Sequence, residues 1–312
     1  MLYLTEDEVR QLLPMDECIE LMKNTFQLLA AGEAINQPRR RMFLPTGSVL
    51  HAMAGAAGRY FGTKIYAANM KHGVYFFFHL FDAETAKPLA LIEANHLGQI
   101  RTGAASGYAT DVLAHPAAKI AGVIGSGFQA RTQIEAILAV RPLQMVQVYS
   151  RDENRRNRFA AECTEAFGIP VKAMDSAEAA VRDAEIVVTA TWSKDPVLKS
   201  EWIADGAHVN AMGSNQAQRR ELPTELINRA ALIVVDSIEV AKIESGDLLL
   251  AWKPDQWATP KLIELKDAPL AHRADDAVTI FKSNGLGVED VTAAAHVYEK
   301  ALAAGIGRPV YS

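Results

Sequence analysis

The feature that most constrains this chain is the run Gly125-Ser126-Gly127-Phe128-Gln129-Ala130, a GxGxxA pattern directly after the apolar segment KIAGVIG and directly before a helical pattern reaching Val140. The first glycine permits a tight turn, the second lets backbone approach a pyrophosphate, and the small sixth residue allows close helix–strand packing. Free N–H groups at the helix start then face the anion. A glycine turn that merely starts a helix would show the same letters, so the context decides. Downstream, the segments MVQVYS, VKAM, EIVVTAT, GAHVNAMG and LIVVD alternate with helical patterns at 153–167 and SAEAAVRDA. Strands apolar on both faces, alternating with amphipathic helices, need a parallel sheet covered on both sides. The sequence therefore predicts an α/β fold with a Rossmann-type doubly wound parallel sheet over 116–285, bounded near His115-Pro116.

The rest of the chain reads differently. Thr5 and Glu8 form a capping box, and Asp16 is placed to cap a longer helix carrying Ile19, Met22, Phe26 and Leu29, which Gly32 ends. From about residue 38, the short segments SVLHAMA, GTKIYAA, VYFFFHLF and PLALIEA read as an antiparallel meander. The small-residue run RTGAASGYATDVLA reads as a closely packed helix, and AVTIFKSNG with VEDVTAAAHVYEKALAAG as a final strand and helix. A smaller α+β domain of 1–115, completed by 286–312, is expected. A length of 312 residues with 49% hydrophobic content suits two such cores.

Charge and cysteine content exclude several classes of function. A net charge of -5 without a basic run argues against nucleic acid as partner. Cys18 and Cys163 lie outside any ligand or disulfide spacing, so no metal is expected. No basic leader precedes an apolar run and no segment resembles a membrane span, so a cytoplasmic protein without membrane contact is the expectation.

Which dinucleotide would bind is decided where the second strand ends, at Val148-Tyr149-Ser150-Arg151. An NAD site offers a carboxylate there for the ribose hydroxyl. Here Ser150 can donate to a phosphate, and Arg151 with Arg155 or Arg156 can pair with it. NADP(H) is favoured and NAD(H) stays open, with Asp152 as the alternative ribose partner. In the first domain, Lys64 lies in an apolar strand and Arg101 heads a helix that should be buried, and each needs an anion. A substrate carboxylate would serve, as would an internal partner such as Glu93.

The segments LIEANHLGQIRTGAASGYAT, VIGSGFQARTQIEA, TATWSKDPVL, GAHVNAMGSN and TIFKSNGLGVED occur in the order, and over nearly the whole length, that resembles the ornithine cyclodeaminase/mu-crystallin family. The resemblance implies a Rossmann domain set into a substrate-binding and dimerisation domain, and hence a homodimer. It implies Arg40, or Arg41 in the alternative register, with Lys64 and Arg101 on the carboxylate of an amino or imino acid. It also implies Thr102 at a cofactor or substrate contact, Thr189, Ala190, Thr191 and Gly213 beside the dinucleotide, and Ser283 and Gly285 near the nicotinamide.

Two departures from the family pattern sharpen this. Where the cyclodeaminases and the alanine dehydrogenase of the family carry an aspartate, this chain has Asn215, and an amide takes up no proton at neutral pH. Where the cyclodeaminases carry a glutamate near the substrate amine, this chain has His51, a hydrogen-bonding group toward the substrate or a packed strand histidine. The expected activity is NAD(P)H-dependent reduction of a C=N bond in an imino acid or cyclic ketimine carboxylate. An alanine-dehydrogenase-like oxidation, a cyclodeaminase disfavoured by Asn215, and an NADPH-binding crystallin-like protein are the alternatives.

Overall fold

The computed structural model describes residues 1–271 and 274–310, so the last two residues of the expected C-terminal segment lie outside the described residues. After β1 (Leu2–Leu4), Thr5 caps α1 (Glu6–Leu12): its hydroxyl accepts from the Glu8 N–H while the Glu8 carboxylate accepts from the Thr5 N–H. Helix α2 (Met15–Ala31) differs from the sequence expectation, because Pro14 rather than Asp16 is its N-cap. Proline is preset for the extended residue before a helix, so the helix starts earlier and Asp16 falls inside the first turn, where it still complements the dipole. Gly32 ends α2 in the left-handed region.

The meander follows as β2 (Ala34–Phe43), β3 (Val49–Ala57), β4 (Tyr60–Asn69), β5 (Gly73–Asp82) and β6 (Pro88–Glu93). Strand β2 begins before residue 38 and includes Pro38, which is tolerated because β2 is an edge strand with a register shift between Gln37 and Arg40. Helix α3 (Asn95–Leu113) starts ahead of Arg101.

Then come β7 (Ile120–Ile124), α4 (Phe128–Val140), β8 (Met145–Tyr149), α5 (Glu153–Phe167), β9 (Val171–Ala173), α6 (Ala177–Val181) and β10 (Ile186–Thr189). They are followed by β11 (His208–Ala211), α7 (Thr224–Arg229), β12 (Leu232–Val235), α8 (Ile238–Glu244), α9 (Gly246–Leu249), β13 (Leu262–Glu264) and β14 (Thr279–Lys282). Helix α10 (Gly287–Ala304) and β15 (Arg308–Pro309) close the chain.

The chain divides into two compact units, Met1–Ala104 with Gly285–Ser312, and Ala105–Asn284. The first holds the sheet β15-β1-β6-β5-β4-β3-β2, with α10 lying on β3 and β4 beside α2. Strand alternation gives this sheet two unlike faces. Met53, Lys64, Phe78 and Ile92 are aligned across it and buried, whereas Ile65, Phe77, Tyr75 and Met42 point the other way and are exposed.

The second unit holds the parallel sheet β13-β12-β14-β11-β10-β7-β8-β9. Strands β10, β11, β12 and β14 are buried along their whole length; one apolar cluster takes residues from all four, and a second takes Ile186 and Val188 on the other face of β10. The strand order reverses between β7 and β10, the switch point at which doubly wound sheets open a crevice beyond their carboxyl ends. Arg141 closes the end of α3 in this unit, its buried guanidinium donating to the carbonyls of Thr110, Asp111, Ala114 and His115. Among the described residues, no helix is long and apolar enough to cross a membrane.

Candidate functional site

The glycine run sits at the switch point. Gly125 has φ +126, and a Cβ there would meet the Ala190 carbonyl oxygen at 2.5 Å, so only glycine fits between the ends of β7 and β10. Gly127 is the N-cap of α4 with no side chain bonded to the helix start. The start of α4 is thus a helix N-terminus placed at the switch point, an arrangement suited to a pyrophosphate. Ala130 is fully buried, consistent with close helix–strand packing, and Phe128 is exposed.

Beside it, the Ser126 hydroxyl donates to Ser150 Oγ at 2.8 Å. Arg155 leans over the loop, its Nη2 3.8 Å from where a Cβ on Gly127 would stand, and Arg151 is exposed. Arg156 is committed elsewhere: it is buried over the Tyr149 ring, donates to the Ser150 carbonyl and faces Asp175. The Asp152 carboxylate accepts from the Arg155 N–H at 2.9 Å as the N-cap of α5. Of the groups weighed for the end of β8, Ser126, Ser150 and Arg155 are thus brought together, while Asp152 serves a helix.

Residues expected beside the dinucleotide are held from below by one carboxylate that the sequence reading missed. Glu221, with no exposed surface, accepts at Oε1 from the Thr191 N–H and hydroxyl, both at 2.6 Å, and at Oε2 from the Thr189 hydroxyl at 2.9 Å and the Gly213 N–H at 2.7 Å. The two threonine hydroxyls are therefore directed at a protein carboxylate. Likewise, the Ser283 hydroxyl donates to Asp236 at 3.3 Å. Asn215 is half-buried in the turn after β11.

In the first unit, Lys64 and Arg101 share a partner. Lys64 Nζ lies 2.8 and 2.7 Å from the two Asp290 oxygens, Arg101 Nε donates to Asp290 Oδ1 at 2.9 Å, and Arg101 Nη1 donates to Glu289 at 2.7 Å. All four side chains are at most 5% exposed. The internal anion is thus Asp290 with Glu289. Glu93 is taken instead by the Tyr3 hydroxyl and the Glu6 N–H. The first turn of α10 carried the signal, but two acids at a helix start read as dipole complements in a sequence. Gly285, at φ +80, lies against the Arg101 guanidinium, where a Cβ would meet Nη1 at 2.7 Å.

Burial, with Arg101 beside it, pushes the Lys64 pKa down to about 7 against the pull of Asp290. Burial alone would raise Asp290, but Arg101 and Lys64 more than reverse that and hold it below the ordinary carboxylate value. The register puts Arg41 opposite His51, Arg40 opposite Ala52 and Met53 opposite Lys64. Arg41 and His51 therefore share the buried face with Lys64, as does Arg39 by alternation. Arg40 is exposed on the other face, so the structure brings together Arg39 and Arg41 rather than Arg40. His51 stacks on Tyr66 at 4.1 Å. Burial, with Arg41 and Arg39, lowers its pKa to about 4, so it is neutral at physiological pH and is no proton donor. The Thr102 hydroxyl donates to the Gly98 carbonyl within α3.

The profile described as "Ornithine cyclodeaminase/mu-crystallin family" matches residues 1–305. A Delta(1)-pyrroline-2-carboxylate reductase of Bacillus cereus is 41% identical over 74% of this chain and 72% of its own. The solved structure of the Thermococcus litoralis Delta(1)-pyrroline-2-carboxylate reductase with NADH and L-proline superposes with a TM-score of 0.93 at 32% identity, covering 99% of this chain and 100% of that one. An archaeal alanine dehydrogenase dimer with bound NAD gives 0.92 at 31% identity, covering 100% and 99%.

The shared carboxylate can be tested through stability. Asp290→Asn leaves two buried cations with a poorer partner, a change expected to cost about 3–5 kcal/mol. Lys64 is protonated in the unfolded chain up to about its ordinary 10.5 but loses its proton near 7 when folded. Unfolding takes up a proton between those values, so this residue's contribution to stability rises with pH there. Without Asp290 the folded pKa drops further and the window opens at lower pH. Urea unfolding at several pH values should show a penalty largest near pH 6 and smaller at pH 9; a small penalty independent of pH contradicts the assignment.

Proposed function

The chain belongs to the ornithine cyclodeaminase/mu-crystallin family, and on that premise we propose that it is an oxidoreductase reducing the C=N bond of an imino acid or cyclic ketimine carboxylate with NAD(P)H, giving the amino acid. The observation that carries the reading is Lys64: a buried ammonium with a pKa near 7, held against Arg101, is a proton source at neutral pH beside a carboxylate-binding group. The glycine run Gly125, Gly127 and the start of α4 would hold the reduced dinucleotide, which would supply the hydride. Lys64 gives its proton to the imine nitrogen. Arg101, with Arg41 and Arg39 on the same face, holds the carboxylate. Residues 1–115 with 286–312 form the substrate and dimerisation part, and 116–285 the dinucleotide part.

The amide of Asn215 speaks against oxidative deamination, which needs a base toward the water that attacks the imine. Three imines separate the readings: a five-membered and a six-membered cyclic ketimine carboxylate, and the imine formed from pyruvate and ammonia. The cyclic substrates should be reduced at least tenfold more efficiently, with kcat/KM falling as pH rises through about 7, because the acid form of Lys64 is lost. Lys64→Met should remove that limb and lower kcat by at least a hundredfold. Activity on pyruvate and ammonia alone would turn the reading toward the dehydrogenase.

The cofactor is NADP(H) in preference to NAD(H). What supports the preference is that Ser150 and Arg155 lie beside the Ser126–Gly127 loop, while Asp152 is engaged as a helix cap. Arg155→Ala should lower kcat/KM for NADPH by about tenfold or more, the worth of a charge-assisted hydrogen bond, and change that for NADH by less than twofold. A wild-type enzyme faster with NADH refutes the preference.

A homodimer is part of the proposal, because an exposed apolar sheet face at Ile65, Phe77, Tyr75 and Met42 suits a second copy. The wild-type chain should elute from light-scattering-coupled gel filtration at twice its 34.0 kDa, and Phe77→Asp at one protomer. A wild-type monomer ends this part of the reading.

A further inference from the structure

The carboxyl ends of β10, β11 and β14, which are neighbours in the sheet, are joined by buried charges rather than by backbone pairing alone. Glu221 takes four donors, two from Thr191 after β10, one from Thr189 in β10 and one from Gly213 after β11. The loop carrying Glu221 is fixed in turn by Asp247, whose Oδ1 accepts from the Glu221 and Leu222 N–H groups at 2.7 and 2.8 Å. Asp247 lies 3.6 Å from Lys282 at the end of β14, and Lys282 Nζ donates to the carbonyls of Ala211, Ser214 and Ser283. Glu221, Asp247 and Lys282 have no exposed surface. Burial and Asp247 both raise the Glu221 pKa, while the Thr191 bonds and Lys282 oppose them.

Burying two carboxylates and an ammonium is costly, and apolar residues of similar volume would hold a sheet end at less cost. What the charges supply is a fixed position for four donors on two adjacent strand ends. Those ends border the crevice of the switch point on the side of β10 and β11, away from the Ser150 end at β8. In a doubly wound sheet this is the half that receives the nicotinamide. Gly213 also leads directly into Ser214 and Asn215.

We propose that Glu221 is a positioning residue for hydride transfer: through Thr189, Thr191 and Gly213 it sets the loops that orient the nicotinamide ring, and it contributes little to holding the adenosine half. The inference rests on the dinucleotide reading above and goes beyond it, since it assigns a role to a residue that touches neither ligand. It differs from a purely structural role in what it leaves intact. Loss of Glu221 should spare dinucleotide affinity and impair the orientation of the ring.

The experiment compares the wild type with Glu221→Gln and with Thr191→Val, which removes one donor without touching the buried charge. Reduced dinucleotide binding is followed by nicotinamide fluorescence, and hydride transfer by single-turnover decay of that signal with a cyclic ketimine carboxylate. Expected for Glu221→Gln are a Kd within threefold of wild type, loss of at least half of the fluorescence enhancement on binding, and single-turnover hydride transfer at least tenfold slower. The double variant should be little slower than the slower single one, because both changes break the same contact. Variants with wild-type circular dichroism but unchanged fluorescence enhancement and rate overturn the proposal, as does a loss confined to Kd. If the wild type binds dinucleotide but reduces no imine, the reading of the substrate fails and the fluorescence comparison still decides the role of Glu221. Should Glu221→Gln not fold, Thr191→Val decides by the same measurements.

Discussion

Asp290 has no contact with water, and two cations lie on it. The N-terminal unit is organised around that fact. A carboxylate in a low-dielectric interior must be paired with good geometry or it destabilises the fold. Here the pairing draws Lys64 from the middle of β4, Arg101 from α3 and Asp290 from the first turn of α10 to one point. Elements far apart in sequence are thereby placed by one ion cluster, and α10 has to return to the sheet formed at the start of the chain. The same cluster sets the titration of Lys64. Burial together with Arg101 brings Lys64 to a pKa near 7, and Asp290 keeps it from falling further.

The C-terminal edge of the parallel sheet repeats the device with the signs reversed. There Lys282 stands near Asp247, and Glu221 takes four donors. In both places charge fixes position: of β4, α3 and α10 in the first unit, and of the segments after β10 and β11 in the second. Along β12, by contrast, the chain uses aliphatic residues throughout.

This contrast explains what could be read in the sequence. The GxGxxA run was legible because its constraint is local: Gly125 needs positive φ and room against Ala190, and both requirements leave a letter in the sequence. The alternating strands and helices were legible by their period. Lys64 and Arg101 stood out because a cation in an apolar segment has to be answered somewhere. Who answers was not legible: Asp290 and Glu289 sit where acids are ordinary, and Glu221 lies in a loop whose polarity is unremarkable until the fold closes over it. Which of Arg39, Arg40 and Arg41 shares a face with Lys64 was not legible either: one step along a strand exchanges its two faces, and a count of residues does not give the register that puts Arg41 opposite His51.

The position of Lys64 also bears on direction. Reduction of a ketimine consumes one proton, and a group with a pKa near 7 supplies it in its acid form; oxidation of the amino acid returns the proton and needs the base form. With Asn215 unable to exchange protons and His51 kept neutral, Lys64 is the titrating group of the buried face of the sheet whose pKa lies near neutrality. Both directions would then depend on the same ammonium with opposite pH dependence, reduction favoured below about 7 and oxidation above it. An aspartate at position 215 would separate these roles by adding a second base. The amide leaves them in one side chain, which is half protonated near pH 7.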